Sequence, residues 1–271
     1  MRFLHRADLN CAVAMGTAPV FPFFDNRSNC SPGLGATTSE RARASSMHLS
    51  GPAISTATNV ETLNKELKTN FNNLKRLGEM NAHNKESSNL TKEDRIRDSD
   101  TLYLTERSLL TLSNIWGPRK FVTSACLTAI IYIDNQLRGV GFRASIMDRL
   151  VERLQLSVGM VLEDISQQDI QEKAARAILW ALFVGAIAAI DRPCRGWFLE
   201  RLLDFSDVLN LRTWNETENI LKGFLWPPAW ETQGRALWNE VEENRLMKYT
   251  TFSGTSNGEE PWIERDTMDW Y

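Results

Sequence analysis

The chain has 271 residues, of which 42% are hydrophobic and 24% charged, and its formal net charge at pH 7 is −3. This length fits one or two domains, and the composition supplies enough apolar side chains for a sizeable core. The slightly negative charge gives no support to direct binding of nucleic acid or of an anionic membrane surface. The longest wholly apolar run, Ala177–Ile190, is shorter than the ~20 residues that a membrane-spanning helix needs.

The four cysteines form no close pair in the sequence. Their spacing fits neither a disulfide framework nor a zinc cluster, and it is typical of a reducing compartment.

Residues 1–57 are rich in Ser, Thr, Ala, Gly and Pro without a sustained period, so we expect this region to be disordered. Its first residues, Met1–Arg6, weakly resemble a mitochondrial transit peptide, and an end without targeting function is the alternative.

Residues 58–80 show the first regular pattern, a heptad-like seam that predicts an amphipathic helix ending at Gly78. Two interpretations stay open. The helix either docks on its own domain or pairs with a second copy of the chain in a homodimer. Asn70 on the seam would then fix register or strand number. The candidate self-association residues are Leu63, Leu67, Asn70, Leu74 and Leu77.

A polar linker is expected over residues 81–100, and a helical domain over residues 101–249, where the 3.6-residue period dominates. Its fourth helix, from about Gln168 to Ile190, is apolar all round in its second half and should be the buried central helix. Small residues at positions 177, 181, 185 and 189 form a ridge on which a neighbouring helix can approach closely. A capping box at Thr213–Glu216 predicts the start of a later helix.

The fold class expected from these patterns is all-α, with a multi-helix, orthogonal or bundle-like domain between a disordered N-terminus and a C-terminal tail. The tail, residues 250–271, interleaves acidic residues with Trp262, Trp270 and Tyr271. This composition is typical of an activation segment. The alternative is a solvated end that folds back over the core through its tryptophans.

The expected helical domain contains no histidine. This removes the usual serine–histidine and cysteine–histidine mechanisms and the histidine-based metal sites. Cys126 and Cys194 are interpreted as packing residues. No phosphate-binding loop is present. We therefore expect no enzyme, with no catalytic residue, no cofactor and no metal ligand.

Several helix patterns together resemble the fungal-specific transcription factor domain, the helical regulatory region of fungal zinc-cluster activators. The similarity covers roughly residues 118–242 and depends on the order and spacing of the patterns. The stretches that carry it are Ala129–Arg138, Ala177–Ala189, Trp197–Leu199, Thr213–Trp214, Ile220–Trp226 and Gly234–Trp238. In that family the domain follows a zinc cluster held by six cysteines, and no such module is present here.

The resemblance implies a nuclear transcription-regulatory domain without its own DNA-binding module. It would act through contacts with the transcription machinery or with a DNA-binding factor, without direct binding to nucleic acid or to membrane. A helical scaffold in the cytoplasm is one alternative. The other is a small-molecule-binding domain, in which buried aromatics such as Trp180 and Trp197 would line a pocket. These two tryptophans are also consistent with a plain core.

Overall fold

The structure is a computed structural model that describes residues 2–20, 60–84, 91–114, 120–165 and 172–254. Within these ranges the chain is helical and contains no β-strand, which confirms the predicted all-α class. The α-helices are α1 Arg2–Met15, α2 Val60–Asn84, α3 Lys92–Ser113, α4 Lys120–Tyr132, α5 Ser145–Ile165, α6 Glu172–Ala188, α7 Arg195–Val208, α8 Trp214–Leu221 and α9 Glu231–Gly254. A π-helical turn, Ile133–Leu137, extends α4, and a 3-10 turn, Pro228–Trp230, precedes α9.

Helix α6 lies at the centre of the fold, as its continuous apolar pattern predicts. Every residue from Ile178 to Ala188 is buried, and α6 packs against α4, α5, α7, α8 and α9. Within the small-residue ridge, Gly185 is a point of contact with α7. A Cβ atom on Gly185 would lie 2.3 Å from the fully buried ring of Phe198. The absence of a side chain at Gly185 therefore sets how closely α6 and α7 approach.

Enlarging the ridge should destabilise the protein. We expect Ala181→Leu to lower the free energy of unfolding by about 1–3 kcal/mol, because Ala181 is buried and the added atoms must displace packed neighbours. Thermal and denaturant unfolding measure the loss. Lys173→Leu, at an exposed position of the same helix, is the control and should change stability by about 0.5 kcal/mol or less. An unchanged melting curve for Ala181→Leu would show that the ridge is not an interface.

The predicted capping box is confirmed at the start of α8. The Thr213 hydroxyl accepts the backbone N–H of Glu216, and the Glu216 carboxylate accepts the backbone N–H groups of Arg212 and Thr213 at 2.9 and 3.0 Å. These hydrogen bonds, led by that from Arg212, lower the pKa of Glu216 below its ordinary value. The ionised carboxylate therefore stabilises the folded state.

Because the pKa of Glu216 is lower in the folded chain than in the unfolded chain, its contribution is present above the unfolded pKa. It is lost as the pH falls through the folded pKa. We expect Glu216→Gln to lower the melting temperature at pH 7, and the difference from the native chain to vanish in acid. Glu243→Gln, at an exposed position of α9, is the control. A pH-independent difference would show that the loss does not come from the carboxylate charge.

The first structural difference from the sequence expectations lies at the N-terminus. Residues 2–15, inside the region expected to be disordered, form α1, which packs against α3 and α5. The buried side chains of Leu9, Ala12 and Val13 join the hydrophobic core. The reason is tertiary, since this short apolar stripe finds a partner surface only in the folded body. Residues 21–57 lie outside the described residues.

The expected linker, residues 81–100, is also partly helical. Helix α2 continues through Gly78 to Asn84, so Gly78 does not end it. Helix α3 begins at Lys92, where the Thr91 hydroxyl accepts the backbone N–H of Asp94 at 3.1 Å. Asp94 and Glu93 also place negative charge at the positive end of the helix dipole. The charged residues 92–98 of the expected linker therefore belong to the capped start of α3.

The C-terminal boundaries differ as well. Helix α8 ends at Leu221, although the apolar pattern that starts at Thr213 continues through Phe224 and Leu225 to the prolines at 227 and 228. Helix α9 extends to Gly254, past the predicted start of the tail at residue 250. Residues 255–271 lie outside the described residues, and so do Trp262, Trp270 and Tyr271.

In the part of the chain that is described, no helix combines the length and the apolar character needed to cross a membrane.

Candidate functional site

The structure brings the five seam residues of α2 together against the chain's own body. Leu63, Leu74 and Leu77 are buried, Asn70 is buried with them, and Leu67 packs partly exposed on the same core. Helix α2 contacts α3, α4 and the π turn. The apolar stripe predicted for self-association is therefore occupied by intramolecular contacts.

Polar contacts set the register of α2 on α3. The amide nitrogen of Asn70 donates to the Ser108 hydroxyl at 2.8 Å, and that hydroxyl donates to the Glu66 carboxylate at 2.8 Å. Asn73 also donates a hydrogen bond to the Thr105 hydroxyl, and Arg76 forms an ion pair with Asp98. Later residues of α2 thus meet earlier residues of α3, so the two helices are antiparallel. Asn70 thus serves the register role expected of a polar seam residue, but toward α3 of the same chain.

Gly78 is a point of close approach between α2 and α4. A Cβ atom at this position would lie 2.1 Å from the Tyr132 hydroxyl oxygen, so only glycine admits the phenol. Burial raises the pKa of Tyr132 to about 12, and the nearby Glu79 charge acts in the same direction. The phenol is therefore neutral and packs as an aromatic ring, in edge contact with Trp230.

The π turn after α4 holds a buried ionic cluster that the sequence did not predict. Arg138 donates to both carboxylate oxygens of Glu106 on α3 and, at 3.1 Å, to Asp134 one turn earlier. The Glu106 side chain is 0% exposed and that of Asp134 only 2% exposed. Burial alone would lower the pKa of Arg138, but the two carboxylates outweigh it and raise that pKa. The guanidinium therefore stays charged and links α3 to α4.

Hydrogen bonds from the surrounding elements converge on the same turn. The side-chain amide oxygen of Asn135 accepts the Trp230 indole N–H at 2.8 Å, and the side-chain amide nitrogen of Asn135 donates to the Val140 backbone carbonyl at 3.1 Å. From α2, Asn81 donates to the Gln136 carbonyl at 3.0 Å. The π turn is thus a junction of α2, α3, α4 and the segment before α9. π turns of this kind frequently occur at functional sites.

The aromatic residues considered as pocket lining are packed in the core. Trp180 is 1% exposed, stacks on Phe224 with ring centroids 5.4 Å apart, and donates its indole N–H to the Leu225 carbonyl at 3.2 Å. Trp197 is partly exposed and lies edge-on to Phe198. Both rings therefore pack against other aromatic side chains of the body.

A second aromatic cluster, formed by Trp214 and Trp226, contains buried indole N–H groups without hydrogen-bond acceptors among the described residues. The rings of Trp214 and Trp226 lie 6.5 Å apart, next to Gly234 of α9, where a Cβ atom would meet both. The indole nitrogen of each is buried and finds no acceptor among the described residues. A buried N–H without an acceptor costs about 1–3 kcal/mol, which a bound oxygen atom would offset.

Burial shields the thiols of Cys126 and Cys194 to different degrees. Cys126 is fully buried, and burial raises the pKa of its thiol well above its ordinary value. Burial also raises the pKa of Cys194, which is partly exposed. In the described ranges, no cluster of three or more His, Cys, Asp or Glu residues is arranged to hold a metal ion.

The carboxylates of Asp148 and Glu152 on α5 pair with arginines. Arg149 bridges Glu152 at 3.1 Å on the exposed face, while Asp148 pairs with Arg192, which lies beyond α6. Arg192 also donates to the Ala188 carbonyl at the end of α6. Asp148 therefore links α5 to the turn after α6, whereas Glu152 is paired within α5, and each acid has an arginine partner.

Comparison of the chain with family models, with curated proteins and with solved structures gives no match. We therefore infer function from the residues and contacts of this chain. The strongest features that those contacts provide are the docked α2 seam, the ionic cluster of the π turn, and the N-terminal helix held on α3 and α5.

Proposed function

We propose that the chain is a transcription-regulatory domain that acts through protein–protein contacts and reaches DNA through a partner. The observation that carries the proposal is the position of the stretches that resemble the fungal-specific transcription factor domain. They lie on α4, α6, α7 and α8, on the segment that follows α8, and on α9, which contribute to one hydrophobic core. An all-α body of this kind offers helix faces and grooves for partner proteins.

The charge distribution of the described body supports a partner-dependent route to DNA. Many of its arginines are paired with acids, as in Arg138–Glu106, Arg195–Glu240 and Arg245–Glu242. A DNA-binding surface needs a basic stripe whose charges are free to meet phosphates. Residence in the nucleus is part of the same proposal.

Tethering tests the proposal. The full chain is fused to a heterologous DNA-binding domain, and transcription of a reporter carrying the matching site is measured. We expect the fusion to change reporter output relative to the DNA-binding domain alone. Replacing Trp262, Trp270 and Tyr271 together with Ala should weaken activation, because activation segments bind their partners through aromatic side chains set among acidic residues.

The matched control replaces Thr255, Ser256 and Asn257 of the same tail with Ala and should leave reporter output unchanged. Equal output from the aromatic variant and the native fusion would exclude the tail as the activating segment. A fusion that leaves the reporter at the level of the DNA-binding domain alone, although the protein accumulates, would contradict the proposed function.

Binding of a small molecule is the second candidate, favoured by the two buried indole N–H groups of Trp214 and Trp226. An oxygen acceptor between the rings would satisfy them. A thermal-shift screen of carboxylates and amides tests this. A hit that raises the melting temperature of the native chain, but not of Trp214→Phe, supports the site. The absence of any such hit favours a plain aromatic core.

A further inference from the structure

The N-terminal segment, residues 2–20, docks as an amphipathic helix in a groove between α3 and α5. Leu9, Ala12 and Val13 lie at positions i, i+3 and i+4 of α1, share one helix face, and are 0–2% exposed. The opposite face is open, since Asn10 and Cys11 are exposed. This is the binding mode of a helix in a groove, in which a short apolar stripe supplies the anchors.

Two arginines of the body complete the groove. Arg107 of α3 lies 4.0 Å from the Asp8 carboxylate and donates to the Pro19 carbonyl at 3.3 Å. Arg153 of α5 donates to the Val13 carbonyl at 3.5 Å and lies beside Gly16, whose φ of +66° turns the chain after α1. Burial lowers the pKa of Arg153, as expected for a guanidinium covered by protein.

A hydrogen bond within the segment joins its last residue to α1. The Asp8 carboxylate accepts the backbone N–H of Val20 at 3.0 Å, so the acid that faces Arg107 also folds the end of the segment back onto α1. The groove therefore recognises three features of this segment: an acid, the apolar stripe beside it, and the carbonyl groups at the end of the helix. Each feature contacts α3, α5 or both.

The segment lies far from α2 along the sequence. Residues 21–59, which lie outside the described residues, separate the two, so α1 is not held in the groove by a short covalent connection. A helix as short as α1 is also marginal in water on its own, so its order depends on the groove. Release would therefore return α1 to a coil without breaking a contact inside the body.

We propose that the groove between α3 and α5 is a docking site for an amphipathic helix of a partner protein, and that α1 occupies it as an internal competitor. The partner helix carries an acid followed directly by an apolar residue, with further apolar residues three and four positions later. This inference rests on the proposed function, because it assigns the surface through which regulated protein contacts are made.

The tether sets the strength of the competition. A connected segment rebinds at an effective concentration set by the length and stiffness of its connection, so a free helix must compete with that concentration to displace α1. Cutting the connection removes this advantage without changing any residue of the groove. The native chain should therefore bind a free α1 peptide weakly, and the cut chain should bind it more tightly.

The test uses the full chain with a specific protease site inserted between Ser39 and Glu40. After cleavage, a fluorescent peptide of residues 1–20 is titrated with the cut and uncut chains, and anisotropy reports binding. We expect the cut chain to exchange its fragment for the peptide and to bind at least about tenfold more tightly than the uncut chain. The Leu9→Asp peptide should not bind, and the peptide with exposed Asn10→Asp should bind as the native one does.

Equal, weak binding by cut and uncut chains would overturn the proposal, and so would loss of the helical circular dichroism signal on cleavage. The latter would show that α1 is a fixed part of the core. The result is separable from the proposed function. A chain that regulates the tethered reporter but does not exchange α1 keeps that function and loses this site, while exchange without any reporter effect removes the function alone.

Discussion

Replacing Arg138 with Met is expected to lower the free energy of unfolding by about 3–5 kcal/mol at neutral pH. The guanidinium is shared by the Glu106 and Asp134 carboxylates, both of which are buried. Removing the cation leaves negative charge in the interior, and the desolvation of these groups is then no longer compensated. Urea unfolding of the native and variant chains measures the loss.

Two further variants separate charge from packing. Arg149→Met removes an arginine that pairs with Glu152 on the exposed face, and it should cost about 1 kcal/mol or less. The double variant Glu106→Gln with Arg138→Met should be less destabilised than Arg138→Met alone, because one of the uncompensated charges is gone. A loss below about 1 kcal/mol for Arg138→Met would show that the cluster does not hold α3 against α4.

Replacing Leu74 with Ala is expected to lower the free energy of unfolding by about 2–5 kcal/mol. Leu74 is fully buried where α2 packs on the body, and the shorter side chain leaves a cavity. The neighbouring Lys75 points to solvent, so Lys75→Ala should change stability by about 0.5 kcal/mol or less. The two variants differ by one position on the same helix and therefore form a matched pair.

The same variant distinguishes the two interpretations of the seam. If α2 docks within its own chain, the melting temperature of the native protein does not depend on protein concentration, and light scattering gives the mass of one chain. If the seam joins two copies, the melting temperature rises with concentration over about 10–100 µM. Leu74→Ala would then lower the dimer fraction. The contacts of α2 with α3, α4 and the π turn predict the first result.

Local signals in the sequence predicted the features that depend on neighbouring residues. The capping box at Thr213 and Glu216 is complete within four residues, and the uniform apolar character of α6 requires no knowledge of the helices around it. The same type of signal was present at Thr91 and Asp94 but was obscured by the charged run that follows. A threonine three positions before an acid predicts a helix start there as well.

Features that depend on distant residues could not be predicted in this way. Glu106 and Arg138 are far apart in the sequence, and each alone is indistinguishable from an exposed charge. From the sequence alone, Gly78 predicts the end of a helix. Its actual role, leaving room for the Tyr132 hydroxyl, depends on a residue of another helix. The three anchors of α1 are too few to predict a helix, because their stabilisation comes from α3 and α5. Tertiary contacts decide all three cases.

The most direct test of the central claim is the transcript profile of cells in which the gene for this chain has been deleted and then restored, with the location of the tagged chain recorded in parallel. A regulatory domain that acts through partners predicts a reproducible set of changed transcripts, restoration by the native chain, and a nuclear signal. Unchanged transcripts together with a chain confined to the cytoplasm would contradict the claim and favour a helical scaffold.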